Sequence, residues 1–222
     1  MDTLTRYPDR ARTDREDLDH VLDAASTCTF ATVLDGQPWL VPMFYARDGD
    51  RILLHGSTGA GALRHVAAGA PVAVSVMLLD GIVVAEDLYH SSANYRSAVV
   101  RGTIEQLRGK DALDALNRLS DTLIPDRSAE VPGPSGKQLA ATSALALTIL
   151  PRQWTVKARN APPTRTDTPG PWAGVVPLRT VAEPPIPAPW ISDDAPLPTS
   201  VQRLIAGFGS AASHEPTGVG TH

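Results

Sequence analysis

Two short stretches concentrate side chains that can hold an anion or move a proton. The first is His55-Gly56-Ser57-Thr58-Gly59-Ala60-Gly61-Ala62-Leu63-Arg64. Its glycines let backbone N–H groups come close to an anion, and Ser57 and Thr58 add hydroxyl donors. A helix starting after the glycines would turn its positive end to the same place, where Arg64 can clamp a phosphate through two parallel hydrogen bonds. This is the chemistry of a cofactor phosphate cradle. It has neither the G-K-[ST] ending of a Walker loop nor the G-x-G-x-x-G of a dinucleotide fold. A loop whose Ser and Thr merely cap a helix is the competing reading.

The second stretch is His90-Ser91-Ser92-Ala93-Asn94-Tyr95-Arg96-Ser97, which leads into the apolar run Ala98-Val99-Val100. It reads as a site wall, with Tyr95 and His90 as the candidate catalytic acid–base groups by side-chain chemistry. The alternative is that Tyr95 packs on the core and Arg96 pairs with a surface acid. Lys157 and Arg159 stand at alternate strand positions and point to one side. They can neutralise a phosphate or an acidic substrate, or act as solvated edge charges.

Other chemistries find less support. The six histidines show no paired metal-ligand spacing, so no metal site is expected. His55, His65 and His90 stay open as axial ligands should the cofactor be a haem. The lone Cys28 allows no intrachain disulfide and reads as a buried, inert thiol. No G-x-S-x-G elbow supports hydrolase chemistry. A net charge of −4 argues against broad nucleic-acid affinity. No apolar run approaches the ~18 residues of a membrane span, and the charged start does not resemble a signal peptide. A cytoplasmic protein is expected.

Mostly strands must position these groups. A helix is expected from Thr13, with Glu16 at capping-box spacing and Leu18, Val21, Leu22 and Ala25 on one face. Strands follow at 27–34, 37–47 and 51–55, turning at Asp35-Gly36 and Asp48-Gly49-Asp50. Pro38 and Pro42 make the second of them edge-like, bulged or ligand-facing. A short helix ends near Ala68. A further hairpin joins 71–79 to 82–86 across Asp80-Gly81, and a strand runs over 98–107. A helix at 111–123, a short one at 135–142 and a strand at 143–150, with 154–158 as its extension, complete the body. About six strands with tight turns predict a closed antiparallel barrel with helical decoration.

The organisation expected is a barrel domain over 1–160, a proline-rich extended segment over 161–210 packing on it, and a disordered tail over 211–222. Between Pro162 and Pro198 lie eleven of the twenty prolines, which favour extended coil, with Trp172 and Trp190 as candidate anchors.

Taken in order, these blocks resemble the pyridoxamine 5′-phosphate oxidase-like family of flavin-nucleotide-binding split barrels, nearest its nitroimidazole-resistance reductase branch. The blocks are RARTDREDLDHVL (10–22), DGQPWLVPMFY (35–45), LHGSTGAGAL (54–63), NYRSAVVRG (94–102), KARNAPP (157–163) and WAGVVPL (172–178). The resemblance covers about residues 6–180. It implies a mainly β fold with helices: a six-stranded split β-barrel that forms a homodimer with flavins in clefts between subunits. The implied cofactor is FMN, with haem or a deazaflavin as alternatives. Val41, Pro42 and Met43 would run beside the isoalloxazine ring. His55, Ser57, Thr58 and Arg64 would hold the phosphate. Asn94, Tyr95 and Arg96 would form the other wall, and Lys157 and Arg159 would lie near the rim. The implied activity is a flavin-dependent oxidoreductase acting on a small, aromatic or nitro-aromatic substrate. A haem enzyme or a non-catalytic flavin binder on the same barrel are the alternatives. Two positions depart from the branch: Ser91 replaces a second histidine, and Asp87 stands where a serine is common. An acid facing a phosphate pocket would oppose binding.

Overall fold

In the computed structural model, which describes residues 8–166, 170–192 and 194–209, alternation of inward and outward residues builds the first hairpin. β2 (Thr27–Leu34) buries Cys28, Phe30 and Thr32 and turns the residues between them to the other face. Burial pushes the Cys28 thiol up to about 12, which makes it inert near neutral pH. Asp35 and Gly36 take φ of 51° and 74° and return the chain into β3 (Gln37–Phe44). β1 is the short Ala11–Arg12 that precedes the first helix.

That helix, α1 (Arg15–Asp23), starts one residue later than a Thr13 cap requires, and the expected capping box does not form. Asp14 is the N-cap, without a side-chain bond. A missing cap costs about 1 kcal/mol, whereas burying Leu18, Val21 and Leu22 contributes about 1.5–3 kcal/mol each, so packing decides the helix. The buried Tyr45 hydroxyl donates to Leu22 O at 2.6 Å and ties the helix end to the sheet.

β4 (Ala46–Asp48) and β5 (Arg51–Ser57) lead to α2 (Gly61–Ala67). β6 (Pro71–Val84) and β7 (Ser92–Leu107) are the longest strands. α3 (Gly109–Leu123), α4 (Arg127–Glu130) and α5 (Gly136–Ala141) precede β8 (Thr142–Thr148) and β9 (Trp154–Arg159). The Ser135–Gln138 pair forms the capping box of α5. Among the described residues all strands join one antiparallel ten-stranded sheet whose main path runs β3-β2-β6-β7-β8-β5-β4. β7 turns the corner: its first half pairs with β6 and β9, its second half with β8. The path ends at β3 and β4, so the barrel is split rather than closed and has more strands than the six expected.

Two other expectations are corrected. Asp80-Gly81 is a bulge inside β6, not a turn, because β7 pairs on both sides of it, with Leu79 opposite Tyr95 and Gly81 opposite Asn94. Gly81 lacks the positive φ that a hairpin turn would need. The reversal occurs at residues 85–91 instead. Nor does β9 extend β8; it pairs with β7 and β1.

One core cluster lies between α1, α2 and the inner faces of β2, β6 and β7. A second lies under α3, where Ala112, Ala115 and Leu119 cover Leu53, Leu107, Ala144 and Ala146. Beyond β9 the chain holds on by polar contacts. Thr166 N–H and Oγ1 donate to Glu86 Oε2 at 3.1 and 2.7 Å. β10 (Gly174–Pro177) pairs with the end of β6. α6 (Thr199–Gly209), not foreseen among the prolines, is held where Ser200 N–H donates to Glu130 Oε1 at 2.9 Å and Arg203 pairs with Asp126. Trp172 and Trp190 are not anchors: both are exposed, and Trp172 folds over its own neighbour Gly174. The tail expected to be disordered over 211–222 lies outside the described residues. Among the described residues no helix is long and apolar enough to cross a membrane.

Candidate functional site

β5 lines up Leu53, His55 and Ser57 on one face, opposite Ala146, Ala144 and Thr142 of β8. Leu53 is sealed under α3, while His55 and Ser57 run out into the open. His55 borders a cavity of about 320 Å³ whose walls include Phe44, Leu116, Leu119, Leu123 and Pro134. Though exposed at its edge, the ring is partly desolvated by these groups, which lowers its pKa from the ordinary histidine value and favours the neutral imidazole.

The loop after β5 is shaped by close packing. A Cβ at Gly56 would lie 2.2 Å from Leu63 Cδ1, so glycine lets α2 close onto the strand. Ser57 Oγ accepts from Gly59 N–H at 3.2 Å, which leaves its own proton available. Thr58 is committed: its N–H and hydroxyl both donate to Ala141 O, at 3.1 and 3.3 Å. Arg64 is exposed and folds back over the loop, with Nη2 4.0 Å from where a Gly61 Cβ would stand. Among the described residues its guanidinium has no hydrogen-bond or ion-pair partner. His65, one residue on, bonds Val33 O through Nε2 at 2.9 Å.

β3 presents backbone rather than side chains. Val41 and Met43 pack inward against the core, and Pro42 faces out. The strand ends the sheet path, so its outer backbone groups have no ladder partner among the described residues.

The second group sits around the β6–β7 reversal. Asp87 accepts from His90 N–H at 2.8 Å, and its two oxygens lie 2.9 and 2.8 Å from His90 Nδ1. These bonds hold the Asp87 carboxyl below the usual carboxylate range, the backbone N–H contributing most. Asp87 therefore faces a histidine, not a phosphate pocket. Asn94 is buried, and its Oδ1 accepts from Arg159 Nη1 at 2.6 Å and Ala161 N at 3.1 Å. Arg96 forms a two-pronged pair with Asp80, at 2.9 and 2.7 Å, which raises its pKa. The surface-acid alternative for Arg96 is thus the observed arrangement. Tyr95, Ser97, Lys157 and Arg159 share the outer sheet face, since Tyr95 pairs with Arg159 and Ser97 with Lys157.

The two groups sit on stretches of the sheet that lie on either side of the corner in β7. His55 pairs with Ala144, and Ala144 with Leu107, twelve residues along β7 from Tyr95.

These residues fit both a flavin and a haem. The unpartnered Arg64 and the free Ser57 proton suit a phosphate, and the outer edge of β3 suits a flavin ring edge. For a haem iron, His90 has one ring nitrogen held by a carboxylate and the other without a partner among the described residues, the usual arrangement of a ligating histidine. Asp87 was not recognised as a site residue from sequence. The signal was its position three residues before His90, the spacing at which an Asp carboxylate caps its own turn.

Residues 14–157 match the family described as pyridoxamine 5′-phosphate oxidase. The chain belongs to that family. Among solved structures, this pyridoxamine 5′-phosphate oxidase family member is similar to the FAD and haem binding protein of Mycobacterium smegmatis. Identity is 43%, coverage 88% of this chain and 97% of the other, and the TM-score 0.85. It is also similar to the flavocytochrome Anf3 of Azotobacter vinelandii, at 30% identity, covering 90% and 94% of the two chains with a TM-score of 0.82. A 5-nitroimidazole antibiotic resistance protein of Bacteroides thetaiotaomicron shares the fold at 18% identity and a TM-score of 0.55, over 66% of this chain and 85% of that one. No protein of curated function matches.

Proposed function

We propose that this family member is a cytoplasmic oxidoreductase that binds a flavin and a haem and works as a homodimer on a small, aromatic or nitro-aromatic acceptor. The observation that carries the reading is the near full-length similarity to the Mycobacterium smegmatis FAD and haem binding protein. It also favours FAD over FMN as the flavin.

The bound flavin supplies two-electron chemistry and the haem one-electron chemistry; the chain supplies binding, orientation and exclusion of water. Arg64 and Ser57 hold the flavin phosphate. The outer backbone edge of β3 orients the ring, with Pro42 facing it. His90 ligates the iron. The cavity beside His55 favours a second reading, in which that neutral imidazole is the ligand and the apolar walls cover the macrocycle.

A dimer would let one flavin touch both groups, one from each subunit, since within a chain they lie on either side of the corner in β7. The outer sheet face offers a surface for this, with Leu40, Phe44, Met77 and Leu79 exposed on one side. The described part of the chain beyond β9 would then act as a strap over the barrel.

The test is the absorption spectrum of protein purified after expression with haem supply. Flavin bands and a Soret band are expected together. His90→Ala should remove the Soret band and leave the flavin bands. Loss in His55→Ala instead selects the second reading, and absence of both bands from the unaltered protein overturns the proposal.

A further inference from the structure

We propose that Asp87 is a positioning residue for His90: it fixes the imidazole tautomer and strengthens the free nitrogen as a metal donor. The inference rests on the reading of His90 as the iron ligand. Because Asp87 carboxylate oxygens lie 2.9 and 2.8 Å from Nδ1, the ring proton belongs on Nδ1. The lone pair is then on Nε2, which has no partner among the described residues. A carboxylate on the far side of a ligating imidazole shifts electron density toward the metal and favours the higher oxidation state.

The surroundings make the ring hold one pose. His90 N–H also donates to Asp87 Oδ1, at 2.8 Å. Ser91 Oγ donates to Asp87 O at 2.9 Å and accepts from Ala85 N–H at 3.1 Å, which ties the loop to the end of β6. The Tyr89 ring stands edge-on to His90, at 5.1 Å between centroids and 82° between planes. Ser91 thus serves as a brace. The whole loop is presented outward, with Leu88 and Tyr89 almost fully exposed. An exposed Asp–His pair adds little to stability. Two carboxylate oxygens on one ring nitrogen are explained better by orientation of that ring.

The competing explanation is that Asp87 only caps the turn through His90 N–H. Asp87→Asn separates the two, because the amide oxygen still caps the turn but carries no charge. Asp87→Ser, capping with a hydroxyl, serves the same purpose if the asparagine variant fails to fold. Holoprotein of each is compared with the unaltered chain and with His90→Ala. The measurements are hemin affinity, the Fe(III)/Fe(II) midpoint potential and the ferrous iron–histidine stretching frequency. In the Asp87 variants hemin affinity should fall about tenfold to a hundredfold. The midpoint potential should rise, the stretching frequency should drop, and flavin content should stay the same. Variants with unaltered potential and stretch overturn the inference, while loss of haem in His90→Ala would leave the ligand assignment standing. Haem retained with an unaltered spectrum in His90→Ala overturns both.

Discussion

Asn94 Oδ1 receives Arg159 Nη1 at 2.6 Å, joining the beginning of β7 to the end of β9 from a position only 4% exposed. The same oxygen holds Ala161 N–H, so one amide fixes the point where the chain leaves the sheet for the proline-rich segment. Burial and the nearby Arg10 lower the pKa of Arg159, which makes a good acceptor for it more valuable. Asn94→Ala should destabilise the protein by about 2 kcal/mol, the range for a lost hydrogen bond to a charged group. Urea denaturation checks this as a lower midpoint at unchanged slope. Asn94→Asp keeps the acceptor and adds an opposite charge, so it should lose much less.

His55 gives a dependence on pH. Its pKa is lowered in the folded protein by burial, so the unfolded chain takes up the proton first. The associated stability is complete above the ordinary histidine value of about 6.5 and is lost as pH falls from there through the folded value. His55→Gln should remove this part of the profile. Denaturation midpoints at pH 7.5 and 5.5, both approximate settings on either side of about 6.5, should lie closer together in the variant. An equal gap in both proteins would mean that His55 does not titrate differently on folding.

Much of the fold was legible because its signals are local. Asp35-Gly36, the alternation in β2, and the apolar face of α3 each state their structure within a dozen residues. Asp80-Gly81 carries the same turn signal as Asp35-Gly36, yet β7 pairs across it, and only the long-range ladder decides between turn and bulge. The loop before Arg64 was visible as a cradle because glycines, hydroxyls and a cation follow one another. The partners of Arg96 and Asn94 were not, since Asp80 and Arg159 stand 16 and 65 residues away. α6 was hidden for a related reason: its capping acid is Glu130, in a different helix.

The outer sheet face tests the two-subunit arrangement. Met77 is 64% exposed and shares that face with Leu79, Leu40 and Phe44. Met77→Lys combined with Leu79→Lys places two charges where a second copy would bury apolar surface. Light scattering should report a monomer for this variant and a dimer for the unaltered chain. Flavin affinity should fall with dissociation if the cofactor is held between the two subunits, as proposed. A variant that stays dimeric would place the interface elsewhere.

Arg64 carries the sharpest consequence for the cofactor. Nothing among the described residues pairs with its guanidinium, so removing it breaks no internal bond and should leave stability unchanged. A charge-assisted bond to phosphate is worth about 1.5–3 kcal/mol, so Arg64→Ala should weaken flavin binding roughly tenfold or more. Arg64→Lys restores the charge without the two-pronged geometry and should recover only part of the loss. Fluorescence titration of the apoprotein reads the affinity, and thermal unfolding without cofactor confirms that the fold is intact. Riboflavin, which has no phosphate, supplies the control: its weaker binding should be the same in all three proteins. If Arg64→Ala weakens riboflavin and the phosphorylated flavin equally, the arginine supports the loop and does not touch the phosphate.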